Sequence, residues 1–167
     1  MRLTRFLGVS TLLLAFACML QAQALFRKPI KVIGDPNFVG TATNPLIVDG
    51  IGPNVVEGRE LNLPTGVAVD NSVSPPNVYI ADGGNHRILG FRYTTQLKPG
   101  AVADVIMGQT DRFGNQAQGG SNRSSGLNSP SGLAVDASGN LYVADTGNNR
   151  VLRYASPLSQ PGGIATP

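Results

Sequence analysis

Two segments of this chain repeat each other closely. Residues 61–93 read LNLPTGVAVDNSVSPPNVYIADGGNHRILGFRY, and residues 127–154 read LNSPSGLAVDASGNLYVADTGNNRVLRY. The two copies differ mainly in the length of one connection. Repeats are built from one supersecondary unit used again, so both copies should adopt the same local structure. The repeat therefore constrains the fold more than any other feature of the sequence.

Each copy contains three short segments typical of β-strands, separated by turn residues. In the first copy they are GVAVD (66–70), NVYIAD (77–82) and HRILGFRY (86–93), and a fourth segment, AVADVIMG (101–108), follows this copy alone. The chain also has 21 glycines and 12 prolines among 167 residues, which favours many turns over long helices. The sequence predicts an all-β fold.

The middle strand of the first copy is apolar on both faces. Val78 and Ile80 point to one side, and Tyr79 and Ala81 point to the other. Such a sheet must be covered on both sides, which stacked four-stranded antiparallel sheets achieve in a β-propeller. The innermost strands of such sheets converge and need small residues, as supplied here by Gly66, Ala68, Gly132 and Ala134.

The shared pattern P-x-G-[VL]-A-V-D, followed by N-[VL]-Y-[VI]-A-D-x-G-N-[HN]-R-[VI], resembles the NHL repeat. This resemblance covers most of 61–154, and VIMGQTDRF is similar to extensions in bacterial secreted proteins of that type. NHL repeats form propeller blades, usually six to a ring. The resemblance implies a partial β-propeller of about two four-stranded blades, but a propeller fold alone implies no particular function.

The start of the chain has the three-part layout of a secretory signal peptide. Arg2 and Arg5 precede an apolar run over 6–20, and Ala22 and Ala24 form an A-x-A cleavage site. The run is shorter than the roughly 20 residues that span a bilayer. We therefore expect an N-terminal signal helix, a secreted or periplasmic protein, and no stable membrane span after cleavage.

Cys18 leaves a second kind of export open. A lipoprotein signal would make this cysteine the lipidated first residue, although bulky Phe16 fits poorly before such a site. Cleavage after Ala24 would instead remove the single cysteine, so the mature protein would have neither a disulfide nor a reactive thiol.

The predicted domain organisation follows from the repeat and the signal. It comprises a signal peptide (1–24), an outer strand plus long loop (25–60), a first blade (61–108), a loop (109–126), an incomplete second blade (127–157) and a tail (158–167).

The charge balance argues against a nucleic-acid partner. The whole chain has 13 Lys and Arg against 10 Asp and Glu. Arg2 and Arg5 belong to the predicted signal, so 13 − 2 leaves 11 basic residues against 10 acidic ones. A nearly neutral mature domain lacks the basic stripe that nucleic-acid binding requires.

The motif with the only histidine is predicted to build a turn rather than a catalytic site. His86 lies in YIADGGNHRI, but Asn149 takes its place in YVADTGNNRV. We expect the aspartates to accept hydrogen bonds from the turn, the glycines to allow positive φ, the asparagines to bond locally, and the arginines to pair with the aspartates. The predicted structural motif comprises Asp82, Gly84, Asn85, Arg87, Asp145, Gly147, Asn148 and Arg150.

No catalytic residue, metal ligand or cofactor is predicted. Asp70 and Asp136 recur in both copies, but the spacing of a calcium or zinc site is absent, and turn-capping accounts for them. We expect a non-catalytic binding or scaffold module that presents loops to a protein, peptide or glycan, through residues that the sequence leaves unassigned. Two alternatives stay open: a piece of a metal-dependent propeller lyase or lactonase, as the resemblance allows, and a non-functional truncated gene product.

Assembly is a further expectation. Two blades alone would leave two broad apolar sheet faces exposed to water, which monomers rarely tolerate. The segment IKVIG (30–34) resembles the outer strand of a blade, whereas the second copy lacks such a strand. Either three chains form a six-bladed ring as a homo-trimer, or the product is truncated and unstable alone.

Overall fold

The computed structural model of the chain describes residues 58–119, 124–160 and 163–167. The predicted signal peptide (1–24), the IKVIG segment (30–34) and nearly all of the predicted 25–60 region lie outside the described residues. None of the helical turns in the described ranges has the length and apolar character needed to cross a membrane.

Two β-sheets make up the described fold, and their strands follow one another along the chain. The first sheet contains β1 (Pro64–Asp70), β2 (Asn77–Asp82), β3 (Arg87–Phe91) and β4 (Val105–Met107), paired antiparallel in that order. The second sheet contains β5 (Leu133–Val135), β6 (Leu141–Asp145) and β7 (Arg150–Tyr154), also antiparallel. The helical elements are single 3-10 turns at Gly83–Asn85, Thr94–Gln96, Ala117–Gly119, Thr146–Asn148 and Pro157–Ser159.

This architecture confirms the predicted all-β fold and is consistent with a partial propeller. The short strands follow from the frequent glycine, proline and asparagine residues that end each apolar segment. The fourth strand predicted after the first copy is present as β4, and the second sheet has three strands in the described residues.

The end of the chain adds a strand that the sequence did not predict. Residues predicted only as a tail include β8 (Ile164–Ala165), which pairs in parallel with β4 and extends the first sheet to five strands. The pairing is stabilised on both faces, since Ile164 packs against the outer core of the first sheet and Ala165 is buried between the sheets. A two-residue strand offers too short a pattern to be recognised in advance.

The core lies on both sides of β2, as the alternation of its residues predicts. On one face, Tyr79 and Ala81 pack with residues of the second sheet, including Leu141, Val143 and Tyr154. On the other face, Val78 and Ile80 form a separate cluster with Leu89, Phe91, Ala103 and Ile106. All six residues of β2 are buried, so this strand anchors the two packed layers.

The first strands of the two sheets approach closely at small residues. A Cβ added to Gly66 would lie 2.2 Å from the carbonyl oxygen of Ser131, a distance that no side chain can occupy. Beside it, the Thr65 hydroxyl donates a hydrogen bond to the Pro130 carbonyl at 2.7 Å. The predicted need for a small residue where the sheets converge is confirmed at Gly66.

Candidate functional site

The turn after β2 is organised around the carboxylate of Asp82. Its Oδ1 accepts a hydrogen bond from the backbone N–H of Asn62 at 2.7 Å. Its Oδ2 accepts from the side-chain amide of Asn85 at 2.9 Å and from Nε of Arg87 at 2.8 Å. Both oxygens are therefore engaged within one copy of the repeat.

Arg87 extends this network to two other segments of the chain. Nη2 donates to the Glu60 carbonyl and Nη1 donates to the Arg112 carbonyl, each at 2.9 Å. The side chains of Arg87 and Asp82 are both 0% exposed. The buried ion pair thus ties the turn to the chain that precedes β1 and to the chain that follows β4.

The second copy repeats the same bonds in the same order. Asp145 accepts from the Asn128 N–H at 2.7 Å, and from the Asn148 amide and Nε of Arg150 at 2.8 Å each. Nη2 of Arg150 donates to the Gly126 carbonyl at 2.7 Å. The Arg150 side chain remains 29% exposed, so this ion pair is less deeply buried than the first.

The electrostatics of the first turn suit a structural role. Burial raises the pKa of Asp82, while the charge of Arg87 and the hydrogen bonds from Asn62 and Asn85 oppose that shift. The Asp82 carboxylate is fully buried and accepts three hydrogen bonds from the chain itself, so most of its acceptor capacity is used within the fold. The arrangement therefore fixes the turn.

The predicted role of the turn glycines is wrong. The residues with positive φ are His86 (54°) and Asn149 (53°), which end the two 3-10 turns. Gly84 and Gly147 are instead needed for space, since an added Cβ would lie 2.5 Å from Cγ of Asn62 or Asn128 respectively. The signal was present in the sequence, because asparagine and histidine adopt the left-handed conformation more readily than most residues.

His86 also makes a contact that the sequence did not predict. Its Nδ1 accepts a hydrogen bond from the backbone N–H of Ser129 at 3.0 Å, just before the second sheet. Gln109 holds the same turn from another side, donating to the His86 carbonyl at 2.9 Å. The only histidine therefore joins one copy of the repeat to the next.

The recurring aspartates at the ends of β1 and β5 organise local turns. Asp70 accepts from the Ser72 N–H and from the Asn77 amide, each at 3.0 Å. Asp136 accepts from the side-chain amide of Asn140 at 2.8 Å and from its backbone N–H at 3.0 Å, and these bonds lower the pKa of Asp136. Within the described residues, no group of three His, Cys, Asp or Glu side chains could hold a metal ion.

A polar cleft lies beside these turns, at the end of the sheets where the two copies differ in length. Six residues (71–76) separate Asp70 from Asn77, whereas three (137–139) separate Asp136 from Asn140. The cleft has a volume of about 280 Å³ and is lined by residues of both copies, including Asp70, Ser72, Tyr79, Ser138, Ser156 and Ser159. Burial raises the pKa of Tyr79 to about 12, so its phenol is neutral at physiological pH. The cleft thus offers hydroxyl groups and one carboxylate.

Comparison with known proteins identifies part of the repeat. Residues 127–154 match the NHL repeat. The chain is also 32% identical over 121 residues to the protein SUPPRESSOR OF QUENCHING 1, chloroplastic, of Arabidopsis thaliana. That similarity covers 72% of this chain and 10% of the relative, so the chain spans about a tenth of the relative's length. The second copy, with its Asp145–Arg150 turn, is therefore an NHL repeat within an all-β fold.

Proposed function

We propose that this chain is a non-catalytic binding or scaffold module, that both of its copies are NHL-type, and that it acts in the periplasm or outside the cell. One observation carries the proposal: the polar side chains of the repeated motif are engaged in holding the fold. Asp82, Asn85 and Arg87 bond to one another and to nearby backbone, and their counterparts do the same. Recognition then depends on surface loops carried by a rigid scaffold.

The polar cleft is the proposed binding surface. It is formed by the connections after β1 and β5, where the two copies diverge. Serine hydroxyls both donate and accept hydrogen bonds, which suits the amides of a peptide or the hydroxyls of a glycan. A volume of about 280 Å³ is at the small end of ligand pockets, so the cleft fits a short segment of a protein, peptide or glycan partner.

A matched pair of variants tests the binding surface. Ala137 is exposed and lines the cleft, whereas Ala117 is exposed and does not line it. The labelled chain would be screened on peptide and glycan arrays, and each bound ligand would be measured again with Ala137→Arg and Ala117→Arg. We expect Ala137→Arg to weaken binding by about tenfold or more and Ala117→Arg to leave it unchanged. Equal binding by both variants, or catalytic turnover of a bound ligand, would refute the proposal.

The proposed location has a test of its own. The charged start, apolar run and A-x-A site of 1–24 support export. Sequencing the N-terminus of exported protein should then find Leu25 as the first residue or close to it. A lipid on Cys18 would replace soluble export by a lipoprotein, and an uncleaved cytoplasmic chain would contradict the proposed location.

A further inference from the structure

The two sheets bury one face of the first sheet and leave the equivalent face of the second sheet open. In the first sheet, Tyr79 pairs with Ala68 and is 1% exposed beneath the second sheet. In the second sheet, Tyr142 pairs with Ala134 in the same register and is 37% exposed. We call Ala134, Tyr142, Ala144 and Val151 the outward face of the second sheet.

Val151 shows the contrast most clearly. It pairs with Ala144 just as Ile88 pairs with Ala81, but Val151 is 67% exposed whereas Ile88 is 0% exposed. The outward face therefore has the shape and the apolar character of a surface that is covered elsewhere in the same chain.

The first sheet also has an exposed apolar surface, on its side facing away from the second sheet. Leu133 and Val135 of β5 pack into the core between the sheets. Their counterparts in β1, Val67 and Val69, are 63% and 48% exposed. The side chains that β2 and β3 place on that side are already buried, so the open surface of the first sheet is the β1 edge, here defined as Leu63, Thr65, Val67 and Val69.

Two backbone details show that the outward face has an open space where the first sheet contacts residues 129–131. Gly66 lies under the Ser131 carbonyl, whereas a Cβ on the equivalent Gly132 would meet nothing closer than Ala144 Cβ at 3.6 Å. In the same way, His86 accepts the N–H of Ser129, whereas the equivalent Asn149 is exposed. The outward face thus has room for another backbone segment like 129–131.

A second copy of the chain carries such a segment at Leu63–Thr65. Leu63 occupies the position of Ser129 in the repeat, and both residues have φ of 47°. Leu63, Thr65 and Val67 are all exposed, so the segment is accessible without unfolding. The partner therefore needs no structure beyond what this chain contains.

We infer that the outward face of the second sheet is a docking site for the β1 edge of a second copy of this chain. The contact would continue the interface that already joins the first and second sheets. Because the two chains contribute different surfaces, the contact is heterologous. Such contacts lead either to a closed ring or to an open array of chains. It does not depend on the proposed ligand-binding cleft, which lies between the two sheets of one chain.

Sedimentation of the purified chain over a wide concentration range tests this inference. We expect the wild type to self-associate, and we expect Val151→Glu and Val67→Glu each to weaken association by about tenfold or more, because each buries a charge in one half of the contact. Val102→Glu is the matched control, since Val102 is an exposed valine outside both docking surfaces and outside the cleft. Gly132→Ala should also weaken association, because the added Cβ would fill the space that the partner backbone needs.

A mixture of two variants distinguishes this contact from a symmetric one. Val151→Glu retains an intact β1 edge, and Val67→Glu retains an intact outward face. Mixed together, they should form a one-to-one dimer, while each alone stays monomeric with the circular dichroism spectrum of the wild type. A wild type that stays monomeric at every concentration, a Val151→Glu variant that associates like the wild type, or a mixture without a dimer would each overturn the inference.

Discussion

The two aspartate–arginine pairs make the same bonds in different surroundings. Arg87 is fully buried and donates to Asp82 and to two backbone carbonyls from distant segments. Arg150 donates to Asp145 and to the Gly126 carbonyl, and its side chain is 29% exposed. Removing one partner of a buried ion pair leaves the other charge buried and uncompensated. In a more exposed pair, water can hydrate the charge that is left.

We therefore predict unequal costs for the two arginines. Arg87→Ala should lower the free energy of unfolding by about 3–5 kcal/mol, and Arg150→Ala should lower it by about 1–2 kcal/mol. Urea unfolding of both variants measures the difference. Equal losses, or a larger loss for Arg150→Ala, would show that burial does not set the strength of these pairs.

The hydroxyl group of Tyr154 is buried without a hydrogen-bond partner among the described residues. The counterpart of Tyr154 in the first copy is Phe91. Tyr154→Phe should therefore raise the free energy of unfolding by about 1 kcal/mol, because an unsatisfied buried group is removed. The matched control is Tyr79→Phe, which loses a hydrogen bond with the Leu158 backbone and should be destabilised. A loss of stability in Tyr154→Phe would reveal a partner for that hydroxyl.

Asp136 gives a pH-dependent prediction. Hydrogen bonds from Asn140, and a backbone bond from Ser138, lower the pKa of Asp136 in the folded chain. A lowered folded pKa stabilises the fold above the ordinary aspartate pKa of about 3.9, and this stability is lost as the pH falls through the folded value. Carboxyl NMR should place the Asp136 midpoint below about 3.9, and Asn140→Ala should raise it. An unchanged midpoint in Asn140→Ala would contradict this cause.

At the scale of strands and turns, the repeat predicted the element types but not every contact. The strand segments were predictable because short runs rich in apolar and β-branched residues, with turn residues on either side, mark them in both copies. The β8 strand, the histidine–Ser129 bond and the true role of Gly84 were not, because each depends on which segments meet in three dimensions. The polar cleft escaped prediction for the same reason, since residues of both copies form it.

Gly66 in β1 and the equivalent Gly132, just before β5, can be used to test how closely the two sheets approach. Gly66→Ala should lower the free energy of unfolding by about 1–3 kcal/mol or more, since its Cβ would overlap the Ser131 carbonyl. Gly132→Ala should change stability by less than about 0.5 kcal/mol, because the space above it is open. Thermal and urea unfolding at low protein concentration measure both. Equal effects would mean that the two sheets do not approach as described.

At the scale of the whole molecule, one shared core holds the two copies together. Tyr79, Ile88 and Met107 of the first sheet pack with Leu141 and Val143 of the second. The apolar residues on both faces of β2 predicted that such a layer must exist, although they could not identify the residues that meet across it. The two copies are therefore held together by face-to-face packing of two sheets, one from each copy.

Nuclear Overhauser contacts between Gly66 and Ser131 test whether the two sheets stack in this way. These residues are far apart in the sequence, but the site of a Gly66 Cβ lies 2.2 Å from the Ser131 oxygen. We expect strong contacts between the protons of Gly66 and Ser131, accompanied by contacts between the His86 ring and the Ser129 amide. A folded chain that shows the cross-strand contacts within each sheet but none between Gly66 and Ser131 would contradict the stacking of the two sheets.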